Sequence, residues 1–162
     1  MKLYIKQRLF TWGDKFDVKD EEGASKYFIE GEVLSIPPRL HIYNESHEQV
    51  AMVARKLLTL THAFEIYKDG VKTATIQKII RLIHPEYAVD GKGWTVKGNF
   101  SAHDYKVTTR EGDVIASIHK VWMSWGDSFE IEYDDPSIET ELLAIVIAID
   151  TALDDNVNAA HA

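Results

Sequence analysis

An apolar stretch near the end of the chain limits the available folds more than any other feature. Residues 142–149 read Leu-Leu-Ala-Ile-Val-Ile-Ala-Ile, so a helix through them is apolar on every side. Such a helix has to be enclosed by protein or by lipid. Asp150 closes the run after eight residues, whereas a membrane-spanning helix needs roughly 20. The stretch therefore predicts a helix over residues 137–154 inside the protein's own core, and no transmembrane segment.

The preceding part of the chain alternates between apolar and polar residues in short runs separated by Gly, Asp and Asn. This pattern is typical of β-strands joined by hairpins. Matches at an offset of 65 residues, such as Ile42 with Val107 and Phe64 with Phe129, indicate an internal two-fold repeat. The runs number about twelve and begin near Leu3, Phe16, Lys26, Leu40, Val50, Ala63, Val71, Glu86, Trp94, Asp104, Val114 and Ser128.

Strand number and helix length together predict the architecture. A barrel of about 8 strands is filled by its own side chains, whereas one near twelve strands leaves a lumen. A helix over residues 138–153 is about 24 Å long, close to the roughly 23 Å of a seven-residue strand. We therefore predict a mainly β, antiparallel closed barrel around a buried C-terminal helix. One domain spans 1–162, with strands in 3–133, the central helix in 137–154 and a flexible tail in 155–162.

Charge and cysteine content restrict the function classes. The net charge is −8, yet every Lys and Arg lies at or before Lys120, so the acidic excess belongs to residues 121–162. A local basic surface is therefore compatible with the overall acidity. The absence of cysteine excludes disulfides, thiol nucleophiles and cysteine zinc sites. Without a secretory signal at the N-terminus, we expect a cytoplasmic protein whose contact with a membrane is at most peripheral.

Both ends of the chain resemble a known family. The segments 3–8 and 12–16 at the start, and 122–131 and 148–150 at the end, are similar to the bacterial branch of the LURP-one-related family. That family resembles the tubby C-terminal domain and the phospholipid scramblases, which share a twelve-stranded barrel around a central C-terminal helix. The resemblance therefore implies a tubby-like fold. Tubby-like domains bind phosphoinositides through basic surface residues and scramblases are associated with membranes and calcium, but no motif carries either activity over to this chain.

Three basic residues occupy equivalent positions in three predicted hairpins. Arg55, Lys78 and Lys120 each lie two residues after an inward Ile or Val, so strand parity turns them inward as well. We expect them to gather at one mouth of the barrel, where they would bind a lipid headgroup, a phosphate or a small acid. The alternative, favoured by the acidic C-terminal segment, is internal pairing. Its candidate partners on the helix are Glu139, Glu141, Asp150 and Asp154.

A second basic stripe lies on the first predicted strand. Lys2, Lys6 and Arg8 share one parity with Tyr4 and face outward if Leu3 and Ile5 face inward. A positive edge with an aromatic side chain suits an anionic membrane surface. The same stripe also protects an edge strand from aggregation, which is the interpretation we favour.

No catalytic, metal or cofactor site is predicted. The seven histidines show no paired ligand spacing, and the acidic stretch before Gly23 lacks the frame of a calcium-binding loop. We predict a non-enzymatic tubby-like binding module for an anionic ligand such as a phospholipid headgroup or a membrane surface. A protein-interaction or structural module with internally satisfied charges is the alternative, and an enzyme ranks third. Nucleic acid is not expected as a partner.

Overall fold

Twelve strands and one long helix make up the computed structural model, which describes residues 1–6, 13, 15–32 and 34–160, with the backbone alone for 154–160. Short 3-10 turns at Phe100–Ala102 and Pro136–Ile138 precede β10 and the helix α1, which spans Glu139–Ala160. The strands are β1 (Lys2–Lys6), β2 (Lys15–Lys19), β3 (Ser25–Glu32), β4 (Arg39–Asn44), β5 (Gln49–Arg55), β6 (Ala63–Lys68), β7 (Val71–Ile79), β8 (Glu86–Asp90), β9 (Trp94–Asn99), β10 (Asp104–Thr108), β11 (Val114–Met123) and β12 (Gly126–Tyr133).

The strands close into a single antiparallel barrel. Each strand pairs with its neighbours in sequence, and β1 pairs with β12, where Leu3 lies opposite Ile131. Every strand begins within two residues of its predicted start, so the alternating pattern located the strands correctly. The predicted fold class, a twelve-stranded closed barrel around a C-terminal helix, is confirmed.

Four hairpins share one irregularity. The pairings β2/β3, β4/β5, β6/β7 and β10/β11 shift register directly after Val18, Ile42, Ile66 and Val107. Such a β-bulge increases the local twist of a strand, which helps a sheet to curve into a barrel. Ile42 and Val107 are also partners at the 65-residue offset. The equivalent bulges are compatible with the two-fold repeat, which stays a prediction.

The helix fills the lumen. All side chains of residues 142–149 are buried against inward residues of the strands. Burying one Leu or Ile side chain stabilises a protein by about 1.5–3 kcal/mol, so an all-apolar helix is stable only inside this wall. Across the part of the chain that the structure describes, no helix combines the length and the apolarity that crossing a bilayer would demand.

The helix boundaries differ from the predicted 137–154. At the start, the Asp135 carboxylate accepts a hydrogen bond from the Ser137 N–H at 2.8 Å and caps a 3-10 turn, so α1 begins at Glu139. At the end, residues 155–160 continue the helix, which corrects the prediction of a flexible tail for those residues. The sequence there is polar but contains neither Gly nor Pro to stop a helix. Residues 161–162 lie outside the described residues.

Candidate functional site

The two open ends of the barrel are defined by the strand directions. Because neighbouring strands are antiparallel, all odd-numbered strands begin at one end and finish at the other. The helix follows β12 and enters where the odd-numbered strands begin, so we call this end the entry mouth and the other the exit mouth. The entry loops are 20–24, 45–48, 69–70, 91–93, 109–113 and 134–138. The described exit loops are 34–38, 56–62, 80–85, 100–103 and 124–125.

The loops of the two mouths differ in their content of charged residues. The described residues of the exit loops include two bases, Lys56 and Arg81, and no acidic residue. The entry loops also include two bases, Lys92 and Arg110, but they contain ten acidic residues: Asp20, Glu21, Glu22, Glu45, Glu48, Asp69, Glu111, Asp113, Asp134 and Asp135. The barrel therefore presents an acidic set of loops at one end and a basic set at the other.

Apolar side chains protrude from the exit mouth. Eight of them, which we call the apolar tips, are more than three quarters exposed: Leu34, Ile36, Leu58, Leu60, Ile80, Leu82, Ile83 and Trp122. The other large apolar residues described as exposed include Val71 and Val114 at the entry mouth, at 65% and 52%. A monomeric soluble protein rarely exposes so much apolar surface in one region without a partner for it. The exit mouth is therefore the candidate functional site.

The three predicted bases lie at this same mouth. Arg55, Lys78 and Lys120 stand near the ends of β5, β7 and β11, which all finish at the exit mouth. In the sheet register they lie opposite the buried aromatic residues Phe64, Tyr87 and Phe129. They therefore have the inward parity that the sequence predicts, and the structure brings them to one rim. Arg55 and Lys78 are half-buried, and the Lys120 side chain is 48% exposed.

The stripe on β1 is divided between the two mouths. The favoured interpretation, protection of an edge strand, is wrong, because β1 pairs with both β2 and β12 in the closed barrel. Leu3 and Ile5 are fully buried, so Lys2 and Lys6 face outward as predicted. Lys2 lies near the entry mouth, where its Nζ is 3.3 Å from Glu130 Oε1 on β12. Lys6 is exposed near the exit mouth, and Arg8 lies outside the described residues. Only Lys6 among the described members of the stripe can therefore contribute to the exit mouth.

Buried acids at the start of α1 pair with bases of the entry mouth. Glu139 accepts hydrogen bonds from Tyr27 and Tyr133, and its carboxylate lies 2.8 Å from Lys26 Nζ. Glu141 Oε1 lies 3.2 Å from the ammonium groups of both Lys68 and Lys92. Burial raises the pKa of Glu141, but the hydrogen bonds from Lys68 and Lys92 outweigh it and leave the pKa below the usual value.

These ion pairs correct one part of the internal-pairing alternative. Glu139 and Glu141 of the helix do pair with bases. Those bases are not Arg55, Lys78 and Lys120, because the two carboxylates lie at the entry mouth, at the opposite end of the barrel. Lys120 Nζ instead lies 3.2 Å from Asp127 Oδ2 on the neighbouring strand. Both side chains are about half exposed, and such surface pairs contribute only about 0–1 kcal/mol. The Asp154 side chain lies outside the described residues.

A buried histidine anchors the helix near the exit mouth. His103 Nε2 lies 2.7 Å from Asp150 Oδ1, and the imidazole stacks on Phe129 with ring centroids 4.5 Å apart. Asp150 Oδ2 and the Tyr105 hydroxyl are buried without a hydrogen-bond partner. Burial raises the pKa of Asp150, against the opposing effect of His103. Sequence reasoning missed this pair because only the fold brings the two residues together.

Sequence reasoning also missed the apolar tips. The signal was present in two short segments, 56–60 and 80–83, in which Leu or Ile residues adjoin Lys56 or Arg81 beyond the end of a predicted strand. Exposed apolar residues that cluster in loops at one end of a protein mark a candidate contact surface.

Comparisons with known proteins agree with the fold. The uncharacterized protein YxjI of Bacillus subtilis (strain 168) is 26% identical over 149 residues, which are 91% of each chain. A protein from Arabidopsis thaliana of known X-ray structure is similar with a TM-score of 0.64 at 13% identity, over 97% of this chain and 90% of that one. At that identity the likeness concerns the fold alone. A model of the LURP-one-related family matches residues 1–150, and this chain therefore belongs to the LURP-one-related family, with its tubby-like barrel.

Proposed function

We propose that this domain is a non-enzymatic binding module that docks its exit mouth on an anionic membrane surface. The observation that carries the proposal is the polarity of the barrel, with acidic loops at the entry mouth and basic, apolar loops at the exit mouth. An anionic surface attracts the exit mouth and repels the entry mouth, so the charge distribution orients the molecule before contact.

Six bases supply the attraction, although the whole chain is acidic. They are Lys6, Arg55, Lys56, Lys78, Arg81 and Lys120. Each Lys or Arg near an anionic bilayer contributes about 1 kcal/mol, and the acidic loops at the far mouth lie beyond the screening length of about 8 Å. The pair of Lys120 with Asp127 is about half exposed and weak, and Arg81 is the exposed partner in its pair with the largely buried Glu86, so lipid phosphates can replace the carboxylates as partners of both bases.

The apolar tips favour a bilayer over other anionic partners. Nucleic acid and small anions offer charge but no apolar phase for side chains such as Leu58 and Leu82, which are fully exposed. A bilayer offers both, with phosphates at the surface and acyl chains beneath. An anionic phospholipid surface is therefore the partner class that can contact both the bases and the apolar tips of the exit mouth.

Co-sedimentation with vesicles tests the proposed function. We expect the protein to bind phosphatidylserine-containing vesicles at low ionic strength and to bind vesicles of phosphatidylcholine alone much more weakly. Added salt should weaken the binding, because exposed charges are screened. The absence of binding to anionic vesicles at low salt would contradict the proposal and would favour a protein partner for the exit mouth.

A further inference from the structure

We propose that the exit mouth does not merely rest on the membrane but inserts its apolar tips below the headgroups. This inference rests on the proposed function and specifies how the site holds its partner. The tips are grouped by loop: Leu34 and Ile36 between β3 and β4, Leu58 and Leu60 between β5 and β6, Ile80, Leu82 and Ile83 between β7 and β8, and Trp122 at the end of β11.

In two of the loops, a base lies directly beside apolar residues. Lys56 directly precedes Leu57, and Arg81 lies between Ile80 and Leu82. With the tips among the acyl chains, the flexible stems of these bases let their charged groups remain at the level of the phosphates. Trp122 is suited to the interface, because an indole combines an apolar ring with one N–H donor.

The arrangement of the apolar tips favours insertion into a lipid bilayer over contact with a second copy of the chain. They belong to four hairpins around one rim, three of them consecutive at this mouth, rather than to one groove. Two exit mouths facing one another would bring together the loop bases Lys56 and Arg81 of both copies, with no acidic residue among the described residues of these loops. Like charges disfavour that pairing, whereas an anionic bilayer accepts bases and tips at once.

Insertion also sets the orientation of the barrel. With four connections of one mouth in the bilayer, the barrel axis stands upright and the acidic entry loops point into solution. The end of α1 is then directed toward the membrane, because the helix runs from the entry mouth to the exit mouth and continues to Ala160.

Depth-dependent quenching tests insertion directly. The chain contains no cysteine, so single Leu58→Cys and Leu82→Cys variants accept an environment-sensitive fluorophore without further changes. Glu45→Cys, in an entry loop, is the matched control. On phosphatidylserine-containing vesicles, we expect lipids with quenchers in the acyl chains to quench the labels at 58 and 82 and to leave the label at 45 unchanged.

A second measurement uses unlabelled protein. Because the tips are exposed, Leu58→Asp and Leu82→Asp should fold normally, with melting temperatures close to that of the wild type. Each variant should lower the vesicle partition coefficient by roughly tenfold or more, from the lost burial of one Leu side chain. Glu45→Ala should leave the partition coefficient within about twofold of the wild type, since that side chain points away from the bilayer.

The outcomes separate insertion from docking. Vesicle binding that depends on salt, without acyl-chain quenching at 58 or 82, would overturn insertion and leave the proposed function standing. No binding to anionic vesicles would overturn both. Quenching at 58 and 82 together with the loss of partitioning in the Asp variants would support insertion.

Discussion

Replacing His103 with alanine is expected to lower the free energy of unfolding by about 3–5 kcal/mol at neutral pH, the usual cost of removing one partner from a buried pair. Asp150 is 4% exposed, and its Oδ2 already lacks a hydrogen-bond partner. Without the imidazole, both of its oxygens are unpaired inside the barrel. Urea unfolding followed by tryptophan fluorescence measures the loss.

The loss should depend on pH in a defined direction. Burial raises the folded-state pKa of Asp150 above its usual value even with His103 present, and removing His103 raises it further. The folded state then binds the proton more tightly than the unfolded state, so stability falls as the pH rises from the unfolded pKa through the folded one. We therefore expect His103→Ala to be less destabilising at about pH 5 than at about pH 7.

A second substitution measures how much of this loss comes from the charge of Asp150. Asp150→Asn keeps the shape of the side chain and removes its charge, so it should restore part of the stability of His103→Ala and abolish the pH dependence of the difference. The paired residues are in contact, so their effects should not add. Additive losses with no pH dependence would show that Asp150 carries no buried charge that His103 compensates.

Gly98→Ala is expected to destabilise the barrel by about 2–5 kcal/mol, from overpacking and from a backbone conformation that favours glycine. Gly98 has φ of +144°, and an added Cβ would lie 2.5 Å from the Asp104 carbonyl oxygen and from Tyr105 Cα. The obstacle is backbone of the neighbouring strand β10, so a side-chain rotation cannot relieve it.

Gly112→Ala is the matched control for that substitution. Gly112 also has a positive φ, +98°, but nothing lies within 4 Å of an added Cβ. We expect a loss of about 1–2 kcal/mol from the backbone conformation alone. Thermal or urea unfolding of both variants gives the comparison, and equal losses would show that the close approach of β9 and β10 does not restrict Gly98.

The architecture could be predicted because its signals are local. Alternation such as that of Leu3, Tyr4 and Ile5 reflects a wall with one face in the core, and the run from Leu142 to Ile149 reflects a helix surrounded on all sides. The end of α1 was predicted too early because the polar residues after Leu153 suggested a tail, although no helix-breaking residue follows.

The site was harder to predict because it depends on which side chains the fold brings close together. Strand parity correctly predicted that Arg55, Lys78 and Lys120 lie at one mouth. It could not predict which acidic residues of the helix would lie near them. The entry of the helix from the opposite mouth separates Glu139 and Glu141 from those bases. The apolar tips were missed because composition alone does not distinguish a Leu or Ile in a loop from one in a strand, and the neighbouring bases Lys56 and Arg81 were not used as a signal.

Two matched double variants test whether the exit mouth faces the anionic bilayer. Lys56→Glu with Arg81→Glu changes the exit mouth, whereas Lys72→Glu with Arg110→Glu makes the same changes near the entry mouth. Each pair breaks one ion pair, Arg81 with Glu86 or Lys72 with Glu65. The two variants therefore have the same composition and the same net charge.

The affinity of both variants for phosphatidylserine-containing vesicles is the measurement. At about 1 kcal/mol for each base near the surface, we expect the exit-mouth variant to bind at least about tenfold more weakly than the wild type. The entry-mouth variant should stay within about twofold, because its charges lie beyond the screening length. Equal losses in the two variants, or a larger loss in the entry-mouth variant, would contradict an orientation in which the exit mouth faces the bilayer.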